Sequence, residues 1–239
     1  MKVFIILPAR LESSRLPKKL IKKIGRLTVI EHMIISAKQI KEAIIIVSTD
    51  SKIIQGYADK HKVHSLYSDR KFLNGTERCF YTAKKFKAQK NDIVVNLQAD
   101  EFNINMASIK KLIDKVKNSK SKPIATLVYK SCDKAEYTNK NNVKVIVDKN
   151  SFAITFTRSN ISSIKSYYLI HIGVYVFKFT ALDYFVKLGS CHYEKDESLE
   201  QLRMIWNNVP IYCELVKNNK SIGINAPSDL KKARELYDN

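Results

Sequence analysis

Four basic side chains, Arg10, Arg15, Lys18 and Lys19, fall in one short stretch, Leu7-Pro-Ala-Arg-Leu-Glu-Ser-Ser-Arg-Leu-Pro-Lys-Lys19, directly after the first apolar run. Arginine forks and lysine point charges at that density can neutralise a polyphosphate and stabilise the charge that builds on departing pyrophosphate; a solvated basic loop is the plainer alternative. Asp100 comes just past another apolar run. A hard oxygen ligand there can share Mg2+ with phosphate oxygens, or it can cap a following helix. Arg158 follows a third run and suits bidentate capture of a carboxylate, or a surface ion pair. His171 heads a fourth, a place where a lone histidine is more often structural than a base. The sequence has no G-x-S-x-G elbow, no H-E-x-x-H and no G-x-x-x-x-G-K-[ST], so nothing points to a covalent enzyme intermediate.

The elements that must position these groups can be read from the apolar pattern. Short runs at residues 2–7, 43–49, 92–97, 123–129, 143–148, 152–157 and 171–177, several rich in β-branched residues, predict strands. Val29, Ile30, Met33, Ile34, Ala37 and Ile40 recur at helical spacing and place an apolar stripe on one face of a helix. A first half that alternates strand and helix, with near-continuously apolar strands, predicts an α/β fold with a mainly parallel central sheet covered on both faces. Ligands of such sheets gather beyond the carboxyl ends of the strands, where the basic loop and Asp100 fall. The second half reads as three strands, an amphipathic helix around residues 197–206 and a closing helix over 227–237. In the first of these helices Leu199, Leu202 and Trp206 would form the buried face and leave Glu200 and Gln201 pointing elsewhere. The closing helix could begin at Asn225 or Ser228. No repeat or linker divides the 239 residues, and one domain is expected over 1–239.

Composition narrows the class further. The formal charge of +19 raises the question of an anionic partner, yet the lysines are spread along the chain rather than grouped in a block. That distribution fits compositional bias better than a nucleic-acid footprint. The apolar run at 3–7 is too short for a signal segment or a membrane span, and the four cysteines, Cys79, Cys132, Cys191 and Cys213, lack metal-ligand spacing. Free thiols in a cytoplasmic protein are the expectation, with no membrane insertion.

Longer patterns then join these residues. The segment Pro8-Ala9-Arg10 through Arg15-Leu16-Pro17 to Lys19 resembles the P-A-R-x-x-S-S/T-R-L-P-x-K of the CMP-Kdo synthetase family (3-deoxy-manno-octulosonate cytidylyltransferases) and its acylneuraminate cytidylyltransferase relatives. In order and at similar spacing follow Ser48-Thr49-Asp50, Asn74-Gly75-Thr76-Glu77-Arg78, the stretch Val94 to Glu101, Asn142-Val143-Lys144-Val145, Phe156-Thr157-Arg158, His171 to Tyr175, Leu199 to Arg203 and Gly223 to Leu230. The resemblance implies a Rossmann-like nucleotidyltransferase fold with a smaller sugar-binding and dimerising portion. It also implies CTP and the acidic sugar 3-deoxy-manno-octulosonate (Kdo) as substrates, magnesium as cofactor, a homodimer, and a place in lipopolysaccharide synthesis. By that analogy Pro8, Ala9, Arg10, Arg15, Lys19, Asn74, Gly75, Thr76 and Gln98 would hold the nucleotide, with Arg10, Lys19 and Asp100 catalytic. Arg78, Arg158, His171, Tyr175, Glu200 and Gln201 would surround the sugar. Asp100 and Asn225 would ligate the metal.

The chain departs from the family pattern at named positions. Lys18 stands where a glycine is usual, Leu20 where a proline is, Ala99 for a glycine, Asn74 for a serine, Phe72 for a histidine and Asn225 for an aspartate. Three readings remain open at this point: a Kdo cytidylyltransferase, a cytidylyltransferase for a related acidic sugar such as an amino-Kdo or a nonulosonate, and a non-catalytic nucleotide or polyanion binder.

Overall fold

The computed structural model describes residues 1–121, 123–161 and 167–238. The chain opens with strand β1 (Val3–Ala9), a 3-10 turn (Lys19–Ile21), the short pair β2 (Lys23–Ile24) and β3 (Leu27–Thr28), and helix α1 (Val29–Ala37). Next come β4 (Ala43–Thr49), α2 (Lys52–Lys60), β5 (His64–Tyr67), α3 (Gly75–Lys85), β6 (Ile93–Leu97), β7 (Glu101–Phe102) and α4 (Met106–Lys117). The middle of the chain forms β8 (Ile124–Ser131), α5 (Lys134–Thr138), β9 (Lys144–Val147), β10 (Ala153–Thr157) and β11 (Tyr168–Lys178). The remainder is α6 (Phe179–Lys187), α7 (His192–Glu197), α8 (Leu202–Trp206), β12 (Ile211–Val216), β13 (Ile222–Gly223) and α9 (Pro227–Asp238).

Among the described residues nine strands form one sheet, ordered β10-β9-β11-β6-β1-β4-β5, with β8 joined to β11 and β12 to β8. The pairs β1–β4, β1–β6, β4–β5 and β8–β12 are parallel. Strand β11 runs antiparallel to β6, β8 and β9, and so joins the parallel half to the rest. Its register against β8 shifts between Ile172 and Tyr175.

Side chains of β1 alternate between two cores, as the twofold period of a strand requires. Val3, Ile5 and Leu7 pack into one core with α1 and α4, while Phe4 and Ile6 pack into the other with α3, α6 and α8. Each such side chain stabilises the fold by roughly 1.5–3 kcal/mol through apolar burial. Helix α1 starts where Thr28 and Glu31 form a capping box, and Val29, Ile30, Met33, Ile34 and Ala37 face inward as their spacing predicts. The parallel geometry brings the carboxyl ends of β1, β4 and β6 together, so that Arg10, Asp50 and Asp100 follow them along one edge.

Two expectations are corrected. No single helix runs through 197–206: α7 ends at Glu197, the following Ser198 takes a left-handed conformation (φ 52°), and α8 begins only at Leu202. Trp206 is not on a buried face; it is 59% exposed, whereas Leu199 and Leu202 are buried. The closing helix begins at Pro227, and the Asp229 carboxylate accepts from the backbone N–H groups of Asn225 and Ala226 at 2.9 and 2.8 Å.

Candidate active site

Beyond β1 and β6 lies a cleft of about 590 Å³. Arg10, Arg15, Lys19 and Arg78 line it, against the acids Glu12 and Asp100. The excess of cations gives the cleft a positive field of the kind that attracts anions. Lys19 donates to the Asp100 carboxylate and, at 3.0 Å, to the Ile224 carbonyl. Arg15 donates to Asn225 Oδ1 at 2.9 Å and also to Asn141 Oδ1. Lys18, at the position where glycine is usual, takes the left-handed conformation (φ 54°) that turns the loop into its 3-10 segment.

The amino end of α3 opens into the same cleft. Asn74 caps that helix, its side-chain oxygen accepting from Glu77 N–H at 2.9 Å, so the uncapped N–H groups and the helix dipole favour an anion nearby. Gly75 lets Gln98 pack close: a Cβ there would stand 2.9 Å from Gln98 Nε2 and would displace the end of that side chain. The Gln98 amide donates to Asn96 Oδ1 at 3.2 Å, Asn96 donates to Thr76 Oγ1 at 3.0 Å, and Thr76 donates its hydroxyl to Glu200 at 2.5 Å.

A second cleft, of about 630 Å³, shares Arg10, Asn74, Gly75 and Gln98 with the first. Its further walls include Arg158, His171, Tyr175, Glu200 and Gln201. Arg158 is held by the Glu197 carbonyl at 3.0 Å, and burial and the nearby Arg15 lower its pKa. The Glu200 carboxyl is raised by burial, an effect that the two hydrogen bonds from Thr76 oppose.

His171 can be assigned a tautomer. The Thr126 hydroxyl gives its one proton to the Val174 carbonyl at 2.6 Å, so the 2.8 Å contact with His171 Nε2 has the imidazole as donor. Nδ1 is then an acceptor. Burial, followed by repulsion from Arg158, holds the ring pKa down at about 3, so it stays neutral at ordinary pH.

Among the described residues, two buried polar side-chain atoms have no hydrogen-bond partner: Arg78 Nη1 and the Tyr175 hydroxyl. Arg78 lines the first cleft and Tyr175 the second. Of the residues associated with the sugar by resemblance, Arg78 is the one that lines the first cleft rather than the second. Its guanidinium lies 4.8 Å from the Phe72 ring centre and 3.5 Å from Asp50 Oδ2. Of the nucleotide set, Ala9 and Thr76 are buried behind the first cleft and the others line it.

Several residues act here that carried no role in the sequence. Asp50 accepts from Leu11 N–H at 3.1 Å as well as from Arg78, and thereby ties the basic loop to α3. Glu101 accepts from Gly173 N–H at 2.9 Å and fills the space a side chain at Gly173 would need. Burial and then Asp100 push the Glu101 carboxyl up to about 7. Both acids stand in motifs that were visible, but their partners are far away in the chain.

The chain matches the cytidylyltransferase family model over residues 4–217. It is 36% identical to a 3-deoxy-manno-octulosonate cytidylyltransferase of Rickettsia bellii, over 99% of this chain and 96% of that protein. A protein of the same name from Polynucleobacter necessarius subsp. necessarius is 32% identical, over 97% and 94%. Among solved structures, CMP:2-keto-3-deoxy-manno-octonic acid synthetase complexed with CTP superposes with a TM-score of 0.88 at 30% identity, covering 99% of this chain and 98% of that one. A putative glucose-1-phosphate thymidylyltransferase from Bacillus anthracis shares the fold, with a TM-score of 0.70 at 16% identity, over 99% of this chain and 94% of that one.

Proposed function

Because the chain belongs to the cytidylyltransferase family, among the 3-deoxy-manno-octulosonate cytidylyltransferases, we propose that it couples CTP to Kdo, giving CMP-Kdo for lipopolysaccharide synthesis and releasing pyrophosphate. The observation that carries this reading is the meeting of the two clefts at Arg10, Asn74, Gly75 and Gln98. A cationic chamber for a triphosphate thus adjoins a chamber whose Arg158 suits a sugar carboxylate. The anomeric hydroxyl of the sugar attacks the α-phosphorus in line, forming the new O–P bond as the bond to pyrophosphate breaks, and its proton passes to water. Holding the two substrates in contact removes most of the entropic part of the barrier. Arg10, Arg15 and Lys19 neutralise the charge that moves onto the leaving group. The neutral His171 accepts a hydrogen bond from a sugar hydroxyl, and the Tyr175 hydroxyl finds its partner on the sugar.

Magnesium fits the donor set at the floor of the first cleft. Among the described residues no cluster of three or more His, Cys, Asp or Glu side chains could hold a metal. Mg2+ needs no such cage, since one or two protein oxygens with phosphate oxygens and water complete its shell. Asp100 and the amide oxygen of Asn225 both line that floor and would hold it. Bound there, it supplies Lewis-acid polarisation of the phosphates. Family membership also supports a cytoplasmic homodimer. Among the described residues no helix is long and apolar enough to cross a membrane.

The test is pyrophosphate release from CTP and Mg2+ with a panel of acidic sugars that begins with Kdo, beside an Asp100→Ala control. Release is expected with Kdo and lost in the variant. Release only with an amino-Kdo or a nonulosonate would move the assignment to that sugar, and no release from folded protein with any of them would overturn it.

A further inference from the structure

Lys144, at the start of β9, is 1% exposed. Its ammonium donates to three backbone carbonyls: Asn139 at 3.1 Å, Asn142 at 3.0 Å and Arg158 at 2.9 Å. Three donors belong to the ammonium and not to the neutral amine, so these bonds require the charged form. Burial and then the nearby Arg158 oppose that charge and lower the lysine pKa. A cation kept in such a place points to a need for its geometry, since an apolar chain would fill the space without desolvating a charge.

The carbonyls it gathers come from the turn at 139–142 and from the end of β10. That turn grips two arginines, one from each cleft. Asn141 accepts from Arg15 Nη1 through its side chain. Arg158 Nη1 donates to the carbonyls of Lys140 at 3.1 Å and Asn141 at 3.4 Å. The next residue but one, Val143, takes the backbone N–H of His171 at 2.9 Å.

We propose that Lys144 and Asn141 are positioning residues for the transfer: Lys144 locks the 139–142 turn, and the turn sets Arg15 of the nucleotide cleft and Arg158 of the sugar cleft at a fixed separation. The inference rests on the assignment of the two clefts given above. Both anionic substrates then register against one piece of backbone, which matters because a misplacement of about 1 Å between reacting groups costs on the order of 10²-fold in rate.

The experiment is calorimetric titration of the full chain, in Mg2+, with CTP and separately with Kdo. It compares wild type, Asn141→Ala, Lys144→Met, Arg158→Ala and the Lys144→Met/Arg158→Ala double variant. Asn141→Ala is expected to weaken CTP by about tenfold, as the loss of a hydrogen bond to a charged group does, and to leave Kdo within about twofold. Lys144→Met is expected to weaken both ligands, but to add nothing to the Kdo loss once Arg158 is gone. A Kdo loss from Lys144→Met that is equal in both backgrounds, or CTP binding unchanged in Asn141→Ala, would overturn the proposal while the function stands. If Lys144→Met does not fold, Asn141→Ala on its exposed turn decides. Wild type that binds CTP but not Kdo would defeat the sugar assignment and this inference with it, and wild type that binds neither would defeat the proposed function as well.

Discussion

The Lys19 ammonium rests on the Asp100 carboxylate, with the two side chains only 16% and 20% exposed. The two charges therefore neutralise one another across the floor of one cleft, and under the proposed function substrate entry would exchange this pair for contacts with phosphate and metal. Lys19→Met is expected to lower kcat/KM for CTP by about 10²–10³-fold, the usual loss when one preorganised charge donor is removed from a transition state. Steady-state pyrophosphate release across a CTP series measures it; a loss below threefold would show that Lys19 serves only to hold Asp100.

At Lys18 the backbone is left-handed, a conformation that costs an L-residue on the order of 1 kcal/mol and glycine nothing in steric terms. Lys18→Gly is expected to stabilise the chain by about 0.5–1 kcal/mol, or about 1–4 °C in Tm. Thermal unfolding of the two chains side by side checks this, and a lower Tm would refute it.

Glu31 is buried, which alone would raise its carboxyl. Hydrogen bonds from Lys60, from the backbone and hydroxyl of Thr28 and from His61 outweigh burial and hold it at about 2. A carboxyl depressed on folding stabilises above its unfolded value of 4.5, and this stabilisation is lost as pH falls towards 2. Glu31→Gln should cost on the order of 2–3 kcal/mol at pH 7 and progressively less between pH 4.5 and 2. Urea unfolding at several pH values reads this directly, and a cost independent of pH would contradict it.

Glu101 has the opposite sign. Its carboxyl is raised on folding to about 7, so its contribution is full below 4.5 and is lost as pH rises towards 7. In EDTA, Glu101→Gln keeps an oxygen for the Gly173 N–H and should remove that loss, making the variant more stable than wild type above pH 7 by on the order of 2 kcal/mol. Equal stability of the two chains at pH 8 would show that Glu101 ionises at its ordinary value.

Strands β1, β4 and β6 were legible because each is an apolar run rich in Ile and Val between polar turns, and residues 43–49 coincide with β4 end to end. Strand β5, His64-Ser-Leu-Tyr, was not recognised: it is short, half polar and at the edge of the sheet, so little distinguishes it from loop. The false helix over 197–206 arose because Leu199, Leu202 and Trp206 match a helical stripe, whereas the break at Ser198 is a backbone conformation that a serine does not announce. At the site, the basic loop and Asp100 could be found from their place after apolar runs. The roles of Asp50, Lys144 and Glu101 could not, since each depends on a partner that only the folded sheet brings near. The side of the wall that Arg78 faces likewise depends on the turn of α3.

Strand β11 lies between β8 on one side and, on the other, β9 along its first half and β6 along its second. During synthesis the first 97 residues emerge with β6 made but its outer edge uncovered, and some seventy further residues must leave the ribosome before β11 can pair with it. An open parallel edge that waits this long is a hazard for association with other nascent chains. The strand that carries His171 and Tyr175 into the second cleft is thus also the one that covers the exposed edge of β6, so one wall of that cleft and protection of this edge arrive together.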